Sequence, residues 1–203
     1  PLRENEKELI TPQMLREILD VSTPIEKAMY MAQFQSGLGA NELCSLRIKD
    51  VADIKDGQVK LRIEDGVIKL KLKREKTNVK FTTFLGRDAI GYLEKWLELR
   101  QSSRVLLDRE LSEVAKVKSM DDFLFVTYAK SVKEWGGVSP TTYAKYLRNR
   151  VRQLGWIDEN VLAEGRLSAY RPHALRMSFS TICKHTAKVQ WDLVEHMIGH
   201  KLG

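Results

Sequence analysis

Near the end of the chain, His173 and Arg176 stand three residues apart, and Gly199-His200 follows on a later segment. Residues at that spacing share one face of a helix. A guanidinium offers a bidentate fork to phosphate oxygens, and an imidazole donates a hydrogen bond or moves a proton near neutral pH. An Arg and two His side chains can therefore converge on one phosphate. Two basic stretches accompany them. Lys69, Lys71, Lys73, Arg74, Lys76 and Lys80 crowd one segment, and Lys145, Arg148, Arg150 and Arg152 crowd another. Either cluster alone reads as a solvated face. Together with the Arg/His constellation they point to a nucleic-acid backbone. His196 and His200 are also four apart, as on a zinc-binding helix, but no Glu follows His196 and Gly199 weakens a helix there. No metal is expected.

The composition bounds what can position these groups. A chain of 203 residues and 23.4 kDa with 43% hydrophobic residues makes one domain with a real core. No stretch approaches the ~18 apolar residues of a membrane span, and no secretion signal opens the chain. Cys44 and Cys183 lie in apolar, helix-like segments and read as reduced thiols. The expected setting is cytoplasmic or host-cell DNA-associated. A net charge of +7 favours a polyanionic partner.

Helix-start signals stand at Thr11-Pro12, Ser22-Thr23-Pro24 and Ser139-Pro140, and Pro172 places His173 in a first helical turn. The first helix is expected to run to about Leu19 and the second to about Gln35, where Ser36-Gly37-Leu38-Gly39 breaks it. A short helix follows over Asn41–Leu46, another runs from Gly86 to about Arg100, and the last spans Gln190 to Gly199. Between them, alternation predicts strands at Val59–Glu64, Val67–Lys73 and Val79–Leu85, with Asp65-Gly66 as a hairpin turn. The stretch Ser102–Asp122 reads as a loop with a short helix. The fold class is mainly α with a small three-stranded antiparallel β-sheet whose tip is basic.

This order of elements and motifs resembles the catalytic domain of tyrosine recombinases, the phage-type integrases, from Ile10 to Gly203. Leu9-Ile10-Thr11-Pro12-Gln13-Met14-Leu15 is similar to the opening of such domains. Ser36-Gly37-Leu38-Gly39-Ala40-Asn41-Glu42-Leu43 resembles the family's Thr-Gly-Leu-Arg-x-x-Glu-Leu box, with Asp50-Val51 as its tail. Lys76-Thr77-Asn78-Val79-Lys80 resembles the sheet turn that carries a catalytic Lys. His173-x-x-Arg176 and Gly199-His200 match the second box.

The resemblance implies strand cleavage and rejoining through a 3′-phosphotyrosine, with no cofactor. Arg176 would clamp the phosphate. His173 would hydrogen-bond it or assist proton transfer, or would only cap or pack at its helix start. Lys76 would protonate the leaving oxygen, with Lys73 as competitor, and His200 would donate to a non-bridging oxygen. Glu42 would buttress the first catalytic Arg, or would be an ordinary exposed residue. Lys73, Arg74, Lys80, Thr141, Lys145 and Arg148 would contact double-stranded DNA, with Arg150 and Arg152 adding to that face. Two departures stand out. Gly39 occupies the first catalytic-Arg position, for which Arg47 is a weak substitute, and no Tyr follows His200. Tyr143, Tyr146 and Tyr170 read as packing residues. Residues 1–203 are thus expected to form the catalytic domain alone, without the DNA-clamping domain and Tyr segment, binding DNA without cleaving it. A tetramer on DNA follows from the resemblance, and a monomer is expected in solution. The alternative is a catalytically degenerate DNA-binding remnant; a helical protein-interaction domain would give the basic turn no role.

Overall fold

Four of the five prolines stand at the first position of a helix, where the absent N–H costs nothing and the fixed φ suits the turn. The computed structural model describes residues 9–74, 76–130, 133–157 and 170–201; residues 202 and 203, at the end of the resemblance, lie outside them. Helix α1 spans Pro12–Asp20, and its Thr11 hydroxyl accepts the Met14 N–H at 3.2 Å. Helix α2 spans Pro24–Ser36. Its Glu26 reaches back to accept the Thr23 N–H at 2.7 Å, a capping-box contact. Short helices α3 (Ala40–Ser45) and α4 (Ile48–Val51) follow, with Leu43 and Leu46 buried as their spacing predicts.

The β region differs in detail from the expected three-stranded sheet. Strand β1 (Ala52–Lys55) pairs with β2 (Gln58–Leu61), and β3 (Ile68–Lys73) pairs with β4 (Lys80–Leu85), both antiparallel. The Asp65-Gly66 turn does form, with both residues at positive φ and reciprocal Glu64–Val67 bonds of 2.9 and 3.0 Å. The ladder stops there because the Arg62 N–H is taken by the Val51 carbonyl at 2.9 Å, which ties that edge to β1. In the β3–β4 hairpin, Ile68, Leu70, Phe81, Thr83 and Leu85 face the core, while Lys69, Lys71, Lys73 and Lys80 face water. This is the period-2 pattern of a sheet with one wet face. A further antiparallel hairpin, β5 (Val126–Ala129) with β6 (Glu134–Gly137), follows the apolar run Phe123-Leu124-Phe125-Val126, which by itself reads as a short strand or a buried loop.

Helix α5 (Arg87–Gln101) buries Leu93, Trp96 and Leu97 and packs on α2, and short helix α6 (Arg109–Val114) lies in the stretch expected to be a loop with a short helix. Arg100 is a buried cation whose Nε donates to the Ala115 carbonyl at 2.9 Å and whose Nη1 donates to that of Phe123 at 2.8 Å, so it pins the 115–124 segment. Helix α7 (Pro140–Gln153) packs on α3. Helix α8 (Pro172–Thr181) packs on α2, runs into one π-helical turn (Ile182–Thr186) and is followed by α9 (Trp191–Met197), which lies on β4. Among the described residues, no helix is long and apolar enough to cross a membrane.

Candidate functional site

Arg176 sits on the buried face of α8 with 6% of its surface exposed. Its Nη1 donates to the Gly37 carbonyl at 2.7 Å and its Nη2 to the Ile198 carbonyl at 2.6 Å; Nη2 also lies 3.3 Å from His200 Nε2. The Gly37 carbonyl can be there because Gly37 ends α2 in the left-handed region, φ 65°. A Cβ at Gly37 would overlap the Phe179 ring. The loop is held by Gln33, whose Nε2 donates to the Leu38 carbonyl at 2.9 Å and whose Oε1 accepts the Tyr143 hydroxyl at 2.7 Å. Burial, and then the neighbouring Arg74 cation, push Arg176 down to about 10, while Glu42 and Glu195 act the other way. It remains a cation at neutral pH.

The Gly-His pair has a local cause. Gly199, φ 70°, closes α9 with its N–H on the His196 carbonyl and the His200 N–H on that of Glu195, both at 2.9 Å. These crossed bonds form a Schellman motif, which needs glycine at its left-handed position. The turn brings the His200 ring back over the helix end, where Nδ1 meets the Glu195 carboxylate. With Nδ1–H donated to Glu195, Nε2 is the nitrogen presented to Arg176. Glu195 also pairs with Lys184, whose ammonium lies 3.3 Å from the Trp191 ring centroid. Burial raises the Glu195 pKa, but the Lys184 and His200 hydrogen bonds outweigh it and the net shift is downward. Nothing in the local pattern singles out Glu195 beforehand; its place five residues before the His of Gly199-His200 is the signal that finds it.

Arg74 enters from the end of β3. Its Nη1 donates to the Gly199 carbonyl at 3.2 Å, and its Nε lies 3.7 Å from Glu42 Oε1. The carboxylate of Glu42 fills the space beside Gly39: a Cβ there would overlap its Oε2. Glu42 is thus a half-buried partner of Arg74. Arg47 is elsewhere, with its Nη1 on the Asp121 carbonyl and its guanidinium 4.3 Å from the Phe123 ring centroid.

The remaining candidates form a wet surface. His173 lies exposed in the first turn of α8, on the turn before Arg176. Lys76 is exposed in the turn between β3 and β4, where Asn78 takes φ 59°. Lys73 and Lys80 stand opposite each other at the mouth of that turn. Thr141, Lys145 and Arg148 are exposed along α7, as is Arg152. Arg150, expected among the DNA contacts, faces the other way. It grips buried Glu26 with two bonds, Nε to Oε2 at 2.9 Å and Nη2 to Oε1 at 3.2 Å. Tyr143 is fully buried. Among the described residues, no three His, Cys, Asp or Glu side chains gather as metal ligands, and both ring nitrogens of His200 have partners other than His196. What the arrangement offers is a convergence of Arg176, His200 and Arg74 beside a basic hairpin, suited to a phosphate.

Comparison with known proteins agrees in kind. The phage integrase family pattern matches residues 8–202. The structure of a XerH site-specific recombinase bound to palindromic difH substrate, in a post-cleavage complex, superposes with a TM-score of 0.65 at 18% identity, covering 96% of this chain and 46% of that one. A XerA recombinase gives 0.64 at 16% identity, covering 100% and 58%. The lambda integrase catalytic core gives 0.54 at 16% identity, covering 92% of each. At these identities the likeness is one of fold. The chain spans about half the length of the first two. No curated protein matches it in sequence.

Proposed function

The chain belongs to the phage integrase family, and on that premise we propose that it is the phosphate-activating domain of a site-specific DNA recombinase. The observation that carries this reading is Arg176, a guanidinium buried under two carbonyls with His200 at its edge. A cation taken out of water at such cost has a use if an anion completes its shell.

In this reading a tyrosine hydroxyl attacks the phosphorus of a backbone phosphodiester. The bond to the 5′ oxygen breaks, the 3′ phosphate remains on the tyrosine, and Lys76 gives the leaving 5′ oxygen its proton. Rejoining reverses these steps with a new 5′-hydroxyl. Arg176 takes non-bridging oxygens, His200 hydrogen-bonds one of them, and His173 hydrogen-bonds the phosphate or takes the tyrosine proton. The attacking tyrosine is expected after His200, outside residues 1–203. The phosphotyrosine conserves the bond energy, so the reaction draws on no nucleotide. Lys73, Lys80, Thr141, Lys145 and Arg148 hold the duplex by its backbone, and assembly on DNA is tetrameric.

The test uses the full-length gene product and a nicked duplex whose sequence is first selected by binding from a random pool. Cleavage beside the nick frees a short strand, so the covalent protein–DNA adduct accumulates. Adduct formation is expected. Tight duplex binding with no adduct would favour the competing reading of a binding remnant, which rests on Gly39.

A further inference from the structure

We propose that Arg74 is the second guanidinium of this phosphate site, delivered from the β3–β4 hairpin in place of a side chain at position 39. The assignment deepens the recombinase reading and rests on it.

Three observations converge. First, Arg176 and Arg74 donate to consecutive carbonyls, those of Ile198 and Gly199, so both guanidiniums are anchored at the end of α9. Second, among the described residues the cations here outnumber the carboxylates paired with them. Glu42 and Glu195 face the three cations Arg74, Arg176 and Lys184, and the Glu42–Arg74 separation of 3.7 Å is an ion pair without a hydrogen bond. Arg74 therefore keeps donor capacity, and its side chain is 22% exposed while that of Glu42 is 12% exposed, so the cation is the more accessible member of the pair. Third, Glu42 occupies the room a residue 39 side chain would need, and its carboxylate is turned to Arg74.

Charge in a phosphoryl-transfer transition state spreads over several oxygens, so one fork does not cover it. Two forks set at an angle grip separate oxygens, and like charges held this close are relieved when an anion enters between them. The hairpin also carries Lys76, two residues beyond Arg74. A DNA strand that draws the turn in would bring both side chains to the same phosphate. Arg74 is then a catalytic residue, and Glu42 is a positioning residue acting through it.

The test compares adduct rates on the nicked duplex, again with the full-length gene product. Arg74→Ala is expected to lower the rate by about 10²–10³-fold, the cost of a lost transition-state donor, with duplex affinity changed far less. Adding Gly39→Arg to Arg74→Ala should restore at least about tenfold of the loss, because Glu42, once released from Arg74, can swing aside and hold a guanidinium arriving from position 39. Unfolding temperature is followed in parallel. Should Arg74→Ala not fold, Arg74→Lys decides, since it keeps the charge but not the fork: a loss of about tenfold or more supports the assignment. A rate within about threefold of wild type for the folded variant overturns it. An adduct that requires Arg176 but not Arg74 removes only the Arg74 assignment. No adduct from the wild type removes the reading beneath it.

Discussion

At the scale of single residues, His200 is set by what Glu195 does to it. The carboxylate holds Nδ1, so Nε2 faces Arg176 and the proposed phosphate position. Glu195→Gln keeps the shape but removes the negative charge that holds Nδ1–H. Cleavage by the full-length product should fall, by no more than the ~10²–10³-fold that a lost donor costs, with duplex affinity little changed. The same carboxylate makes a pH prediction. Its folded pKa lies below the ordinary 4.5, because hydrogen bonds from Lys184 and His200 outweigh the upward pull of burial. A depressed carboxylate pKa stabilises the fold at pH values above the unfolded value, and that contribution fades as pH falls from about 4.5 through the folded pKa. Thermal unfolding of the wild type should weaken over that acidic window more than that of Glu195→Gln, and equal slopes would contradict the pairing.

At the scale of elements, two joints carry the site. Gly199 closes α9 at φ 70°, with Phe81 only 3.0 Å from where a Cβ would stand. Gly199→Ala should cost roughly 1–2 kcal/mol from the left-handed backbone alone, and should displace His200, seen as a lowered unfolding midpoint with a larger loss of cleavage. Arg100 pins the 115–124 segment through carbonyls. Arg100→Met orphans the Ala115 and Phe123 acceptors and should destabilise by about 2–4 kcal/mol, read by denaturant unfolding, without a specific effect on DNA binding. Much of this frame was legible in the chain. The Thr-Pro and Ser-Pro starts, the Asp65-Gly66 turn and the break at Gly37 all express local rules. What was not legible depended on distant partners. Strand β1 alternates over only four residues, too short a run to stand out, and exists because Gln58–Leu61 folds back on it. Arg150 looked like its basic neighbours until Glu26, 124 residues away, claimed it. The Arg74–Glu42 pair was hidden for the same reason, although Gly39 announced that a cation was owed from somewhere.

At the scale of the molecule, charge decides how DNA is met. A net charge of +7, with lysines on the open face of the β3–β4 hairpin and cations along α7, predicts binding by counterion release. The affinity of residues 1–203 for duplex DNA should fall linearly in log–log form with salt, and Lys145→Ala should lower the slope by about one unit. Arg150→Ala should leave the slope nearly intact and lower stability instead, since its partner is Glu26. In the proposed reading the centre activates a phosphate and the surface holds the duplex. The measurement that separates them most directly is Arg176→Ala in the full-length product, with adduct rate on the nicked duplex and duplex affinity read side by side. The expected result is a fall in rate of at least about 10²-fold with affinity within several-fold of wild type. Equal adduct rates for wild type and Arg176→Ala would contradict it.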